Sequence, residues 1–179
     1  MSEKVCACIE NESQRLSFRF DETDERCVRL KLLLQKNIED LILNEGVTRF
    51  ISGMGLGAET CFAEIVLELR DEKYPEITLE AAIPYETQAE HRTETQRDRY
   101  YSVLSCCDKE TMLQTHYTDD CMQRRNRYMT DKCDYLIAVC GGSGAIGSAA
   151  AYAAEKGKKV IQIDPRALEN SEAEKSLYA

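Results

Sequence analysis

Apolar positions along this chain fall into two repeating patterns, short unbroken runs and longer stripes at helical spacing. Val5 to Ile9 (Val-Cys-Ala-Cys-Ile) is an unbroken run and predicts a buried parallel strand. Glu10 to Gln14 are polar and acidic and predict a loop, from which Leu16-Ser17-Phe18 returns to the surface. From Asp21 onward, Cys27, Leu30, Leu34, Ile38 and Leu41 recur at spacings of three and four, the stripe of an amphipathic helix. Asp21 or Thr23 is the expected cap, and Gly46 the expected stop. A second strand, Thr48 to Ser52, leads into Gly53-Met54-Gly55-Leu56-Gly57. A second helix is predicted over 58–73, with Cys61, Phe62, Ile65, Val66 and Leu69 toward a sheet and Glu64, Glu68, Arg70 and Asp71 toward water; Pro75 ends it.

The alternation continues. Ile77 to Ile83 predicts a third strand, and the polar stretch Thr87 to Arg99 a solvated loop and helix face, with a helix over Glu94 to Cys106. Thr111 to Thr115 predicts a short fourth strand, and Asp119 or Asp120 caps the next helix. Tyr135 to Cys140 is the clearest strand and runs into a second glycine-rich stretch, Gly141 to Ser148. A small-residue helix, Ala149 to Ala154, then a last strand, Val160 to Asp164, complete the pattern. About six strands alternating with helices predict an open, mostly parallel sheet covered by helices on both faces. In such folds ligands bind at the carboxyl ends of the strands, near a switch in strand order. Residues 1–169 are expected to form one domain, and 170–179 a charged C-terminal tail.

Both glycine stretches fall at strand carboxyl ends, so they are the candidate ligand corners. Glycines let the backbone turn tightly and let a ligand approach. The free N–H groups and positive dipole end of the following helix suit an anion such as phosphate. The candidate ligand-binding residues at the first corner are Ser52, Gly53, Gly55, Gly57 and Glu59, and at the second Gly141, Gly142, Ser143 and Gly144. The alternative at each corner is a tight strand-to-helix connection, and for Glu59 a charge that satisfies the helix dipole. Arg124, Arg125 and Arg127 with Asn126 form the one dense basic cluster; a helix spreads them, so at most one or two face a crevice. Arg125 and Asn126 are the candidates, against surface ion pairing.

Composition narrows the ligand. Acidic residues number 32 against 23 basic, a net charge of -9, which argues against broad binding to nucleic acid or to an anionic membrane. A small phosphorylated ligand in a local basic pocket stays compatible. Nine cysteines without a Cys-x-x-Cys pair are expected to be free and structural, in a reducing compartment. Neither a signal peptide nor a bilayer-length apolar run is legible, so the expected location is cytoplasmic. His91 and His116 are isolated, and no zinc set, nucleophile elbow or Ser-His-Asp arrangement is legible, so catalysis has no positive support beyond the fold.

Several stretches together resemble the YpsA-like family of the SLOG superfamily, Rossmann-like domains related to DprA and to the LOG phosphoribohydrolases. They are Phe50-Ile51-Ser52-Gly53-Met54-Gly55-Leu56-Gly57, Ala63 to Leu69, Ala82-Ile83-Pro84, Arg125 to Met129 and Leu136 to Val139. The resemblance runs from the first strand to Pro165. It implies a Rossmann-like three-layer α/β/α sandwich and a nucleotide or nucleotide-derived small-molecule ligand. A homodimer is compatible with it, since related domains often pair.

The chain departs from the family in three places, and from the related LOG enzymes in one. Where the family follows its first strand with Thr-Gly-His-Arg-Pro, this chain has Ile9-Glu10-Asn11-Glu12-Ser13. Two carboxylates there would repel a phosphate by a few kcal/mol, on the order of a hundredfold in affinity. Glu59 stands where the family has aspartate, and Gly144-Ala145-Ile146 where it has Gly-Gly-Thr. The LOG motif, laid on Gly141 and Gly142, puts Ser148 where those enzymes carry their catalytic glutamate. The expected function is therefore binding or sensing of a nucleotide-like ligand. The rivals are an N-glycosidase using Glu59 or Asp131, and a scaffold acting through protein partners.

Overall fold

The computed structural model describes residues 2–10, 21–140 and 148–169. In chain order these form β1 (Lys4–Glu10), α1 (Glu25–Asp40), β2 (Val47–Ser52), α2 (Ala58–Glu72), β3 (Thr78–Ile83), α3 (Glu94–Cys106), β4 (Lys109–Met112), α4 (Cys121–Lys132), β5 (Tyr135–Val139), α5 (Ser148–Glu155) and β6 (Lys159–Ile163). The six strands make one sheet in the order β4-β3-β2-β1-β5-β6, and every pairing is parallel. The chain steps outward from β1 to β4, then returns to the other side of β1 with β5. This is a Rossmann-like fold, and its switch in strand order lies at β1, between β2 and β5.

Strand side chains alternate between two apolar layers. On one face Cys6, Cys8, Phe50, Leu79 and Ile137 pack under the buried stripes of α1 and α2 and under Tyr100 and Val103 of α3. On the other, Val5, Ala7, Ile51, Leu136 and Ala138 pack against Met129 and Cys133 and against Ala150 and Ala153 of α5. The expected faces hold: Cys27, Leu30, Leu34, Ile38 and Leu41 are all buried, as are Cys61, Phe62, Ile65, Val66 and Leu69. All nine cysteines are free, and only Cys106 is exposed. Burial pushes the Cys61 thiol up to about 12 and the Cys133 thiol up to about 11, so both stay protonated and unreactive.

Three local expectations need correction. The cap of α1 is Asp24, which accepts from the Arg26 N–H at 2.9 Å, while Asp21 instead folds the Thr23 N–H and hydroxyl onto itself. The fourth strand is Lys109–Met112, beginning two residues before and ending three residues short of the expected Thr111 to Thr115. The Asp108 carboxylate fixes that entry by accepting from the Leu79 N–H at 2.8 Å and from Arg70. Glu10 is not in a loop: it ends β1, opposite Val139 of β5, and is buried. The helix stop at Gly46 holds. Its φ of 73° takes the left-handed turn that closes a short π-helical extension, Leu41–Glu45.

Candidate functional site

The turn after β2 is held in a conformation few residues adopt. Met54 is left-handed (φ 59°), and Gly57 lies at φ 114° and ψ −125°, a region open only to glycine. Ser52 sets the entry: its hydroxyl donates to the Glu59 carbonyl at 2.8 Å and accepts the Met54 N–H at 3.2 Å. Thr60 closes the far side by donating to the Gly55 carbonyl at 2.8 Å. Gly53 and Gly55 are glycine for another reason. A Cβ on Gly53 would lie 2.4 Å from Glu59 Oε1 and 2.7 Å from Arg125 Nε, and one on Gly55 would lie 3.1 Å from the Glu59 carboxyl. The space at these glycines is taken by the chain's own side chains.

Those side chains form a buried charged cluster drawn from three elements. Glu59, in the first turn of α2, is 1% exposed, and Arg125 of α4 is 0% exposed. They pair through both carboxylate oxygens at 3.3 Å. Glu59 also accepts from the Gly55 N–H at 3.2 Å and from the Glu10 N–H at 3.1 Å. Arg125 further donates to the Gly53 carbonyl at 3.1 Å and to the Asn126 side-chain oxygen at 2.8 and 3.2 Å. Glu10, 9% exposed, accepts from the Ala58 N–H at 2.9 Å. A carboxylate from β1 therefore sits on the first N–H of α2, where a ligand anion would otherwise be attracted.

The segment after β3 folds over the outside of the same turn. Gln88 donates to the Gly53 carbonyl at 3.0 Å, and Arg92 to the Met54 carbonyl at 2.7 Å. Tyr100 holds both: its hydroxyl donates to Gln88 at 3.2 Å, and its ring lies under the Arg92 guanidinium, 4.9 Å away. Burial pushes the Tyr100 phenol up to about 12, so it remains a donor. Both oxygens of Glu59 are occupied by fixed donors, so this carboxylate orients the turn. Among the described residues no cluster of three or more His, Cys, Asp or Glu side chains suits a metal ion.

A model of the YpsA proteins, described as the YspA SLOG family, matches residues 12–163. The chain belongs to that family. A UPF0398 protein of Bacillus pumilus (strain SAFR-032) is 33% identical over 112 residues, 62% of this chain and 59% of that protein. The prophage-derived protein YoqJ of Bacillus subtilis (strain 168) is 28% identical over 130 residues, 65% of this chain and 74% of YoqJ. The UPF0398 protein YpsA of the same strain is 27% identical over 122 residues, 67% of each chain. The chain thus spans less than two thirds of the length of the B. pumilus relative.

In this SLOG member the turn residues Ser52, Gly53, Gly55, Gly57 and Glu59 come together with Arg125 and Asn126 from a helix far along the chain. Gly141, Gly142, Ser143 and Gly144 lie outside the described residues; the strand that leads to them ends beside Glu10. Tyr128 and Asp131 serve elsewhere. Tyr128 donates to Glu80 at 2.6 Å, with Arg49 and Thr111 as further part-buried partners of that buried carboxylate, and Asp131 accepts from Tyr152 at 2.8 Å. Arg124 pairs with Asp120 on the surface, and exposed Arg127 lies 5.9 Å from the Tyr152 ring. His91 and His116 are exposed. Reading the sequence missed Gln88, Arg92 and Tyr100, and took Glu10 for a loop acid that only repels a ligand phosphate. One signal was available for Arg92: the Thr93-x-x-Gln96 capping box fixes the start of α3 and puts Arg92 just outside it.

Among the described residues no helix is long and apolar enough to cross a membrane. A shallow depression at the start of α1 is lined by Asp24, Glu25, Arg26 and Arg29, whose charges pair with one another, Arg26 with Asp24 and Arg29 with Glu25.

Proposed function

We propose that this SLOG protein binds or senses a nucleotide-derived small molecule at the carboxyl ends of its strands, over the Gly53–Gly57 turn and beside the Gly141–Gly144 stretch. One observation carries the reading: a fully buried Glu59–Arg125 pair props a turn in which a non-glycine residue, Met54, is held in the left-handed region. Such a conformation costs a non-glycine residue on the order of 1–3 kcal/mol, and it persists where surrounding structure enforces it, typically at ligand sites. A plain strand-to-helix connection needs neither the strain nor the buried charges. Nine free cysteines, most of them buried, favour a reducing cytoplasm.

Thermal-shift measurements on purified protein against nucleosides, nucleotides, nucleotide sugars and cyclic dinucleotides test this reading. A shift with one class is expected, and Gly55→Asp, which crowds the Glu59 carboxyl, should abolish it. No shift with any class sinks the reading. The rival reading, an N-glycosidase, has Glu59 as its acid; the four donors that occupy this carboxylate count against it. Base release from nucleoside monophosphates that disappears in Glu59→Gln would reverse that preference.

A further inference from the structure

Among the described residues are eleven arginines, and eight of them have a carboxylate within ion-pairing distance. Of the other three, Arg127 is exposed and lies beside the Tyr152 ring, 5.9 Å away. The remaining two, Arg92 and Arg97, are half-buried and adjacent: the Arg97 side chain donates to the Arg92 backbone carbonyl. In a protein of net charge -9, two neighbouring guanidinium groups without a carboxylate partner among the described residues are an anomaly. A cation drawn out of water is costly unless an anion or a full set of acceptors meets it.

The Arg92 geometry leaves most of its donors available. A guanidinium carries five N–H groups, and here one nitrogen donates to a protein acceptor, the Met54 carbonyl at 2.7 Å. The Tyr100 ring holds the guanidinium plane from one side. A guanidinium immobilised this way suits the two-pronged binding of a tetrahedral oxyanion. Meanwhile the usual anion seat, the first N–H of α2, is filled by Glu10. Partial burial also draws the Arg92 pKa below its ordinary value, against the opposing pull of Tyr100 and Glu59.

We propose that Arg92 is the anion-binding group of this crevice, taking the phosphate or pyrophosphate of a ligand on the outer side of the Met54 turn because Glu10 holds the inner seat. As a statement about which end of a nucleotide is recognised, this rests on the proposed function; as a statement about an oxyanion site, it does not. Pyrophosphate binding separates the two, measured by isothermal titration on the wild-type protein, Arg92→Gln, Arg92→Lys and the control Arg127→Gln. Wild type and Arg127→Gln should bind alike. Arg92→Gln should weaken binding about 10- to 100-fold, as expected for charge-assisted hydrogen bonds. Arg92→Lys should retain part of the affinity. Unfolding midpoints of all four proteins check that the variants fold. Equal binding by Arg92→Gln, or no binding by wild type, overturns the inference. Arg92-dependent pyrophosphate binding with no response to any nucleotide upholds it while the nucleotide reading fails. A nucleotide response identical in wild type and Arg92→Gln does the reverse.

Discussion

Arg125→Met isolates the contribution of the buried ion pair to the turn. Methionine replaces much of the arginine stem, so the change removes chiefly the charge and its hydrogen bonds. Two of the groups left behind recover. The Gly53 carbonyl keeps the Gln88 donor at 3.0 Å, and the half-buried Asn126 amide can turn to water. Glu59 does not recover: it is 1% exposed and keeps the Gly55 and Glu10 N–H groups, but it loses its ion pair. Removing one partner of a buried pair costs about 3–5 kcal/mol, because a charge remains without compensation. For a chain of this size each kcal/mol moves the melting temperature by roughly 2–4 °C, so the expected drop is roughly 6–20 °C. Glu59→Gln should cost less, since Arg125 keeps its acceptors on Gly53 and Asn126. The double variant should be more stable than the sum of the two single losses. Urea unfolding followed by circular dichroism measures all three. A loss below about 1 kcal/mol for Arg125→Met, or strict additivity in the cycle, would refute the role given to the pair.

Three further outcomes are expected. Gly53→Ala should destabilise by about 1–3 kcal/mol, because its methyl would overlap Glu59 Oε1 and the Arg125 guanidinium; an unchanged urea midpoint contradicts this. For Glu80, burial alone would raise the carboxyl pKa, but hydrogen bonds from Tyr128, Arg49 and Thr111 outweigh it and hold the group below its ordinary value. Its stabilisation is therefore present above the unfolded carboxylate pKa of about 4.3 and lost as pH falls through the folded value, so the stability gap between wild type and Glu80→Gln should narrow below about pH 4; a gap independent of pH rules this out. In the native protein a thiol reagent such as DTNB should react rapidly with Cys106 alone, and Cys106→Ser should remove that phase; fast labelling of Cys61 or Cys133 would show that their burial is misjudged.

The sheet was readable because its strands carry unbroken apolar runs and its helices keep three- and four-residue stripes, both of which report burial directly. The end of α1 at Gly46 was readable because a left-handed stop demands glycine. Strand β4 was not: at Lys109–Met112 it is an exposed edge strand of largely polar residues, positioned by the Asp108 carboxylate rather than by its own pattern. At the site, the glycines, Glu59 and Arg125 stood out by type and place. Their mutual contact did not, because it joins positions 66 residues apart. The purpose expected of Gly53 and Gly55 also shifted. Sequence logic makes room there for a ligand, whereas the structure fills that room with a carboxylate and a guanidinium.

Glu10 shows what the departure after β1 accomplishes. Read alone, an acid in place of a small or basic residue only repels phosphate. In the fold it reaches the first N–H of α2 and gives Glu59 its own backbone N–H, so it caps the helix and helps fix the turn. Gly57 needs that help, since glycine has no side chain with which to cap α2. Substituting Glu10 therefore does two opposed things: it removes a cap, and it opens an anion seat. Arg92 lies on the other side of the same turn, with donors to spare. The two residues divide the corner between them, an internal anion on the inner N–H groups and an unmatched cation outside, and that division sets the orientation a phosphorylated ligand would have to adopt.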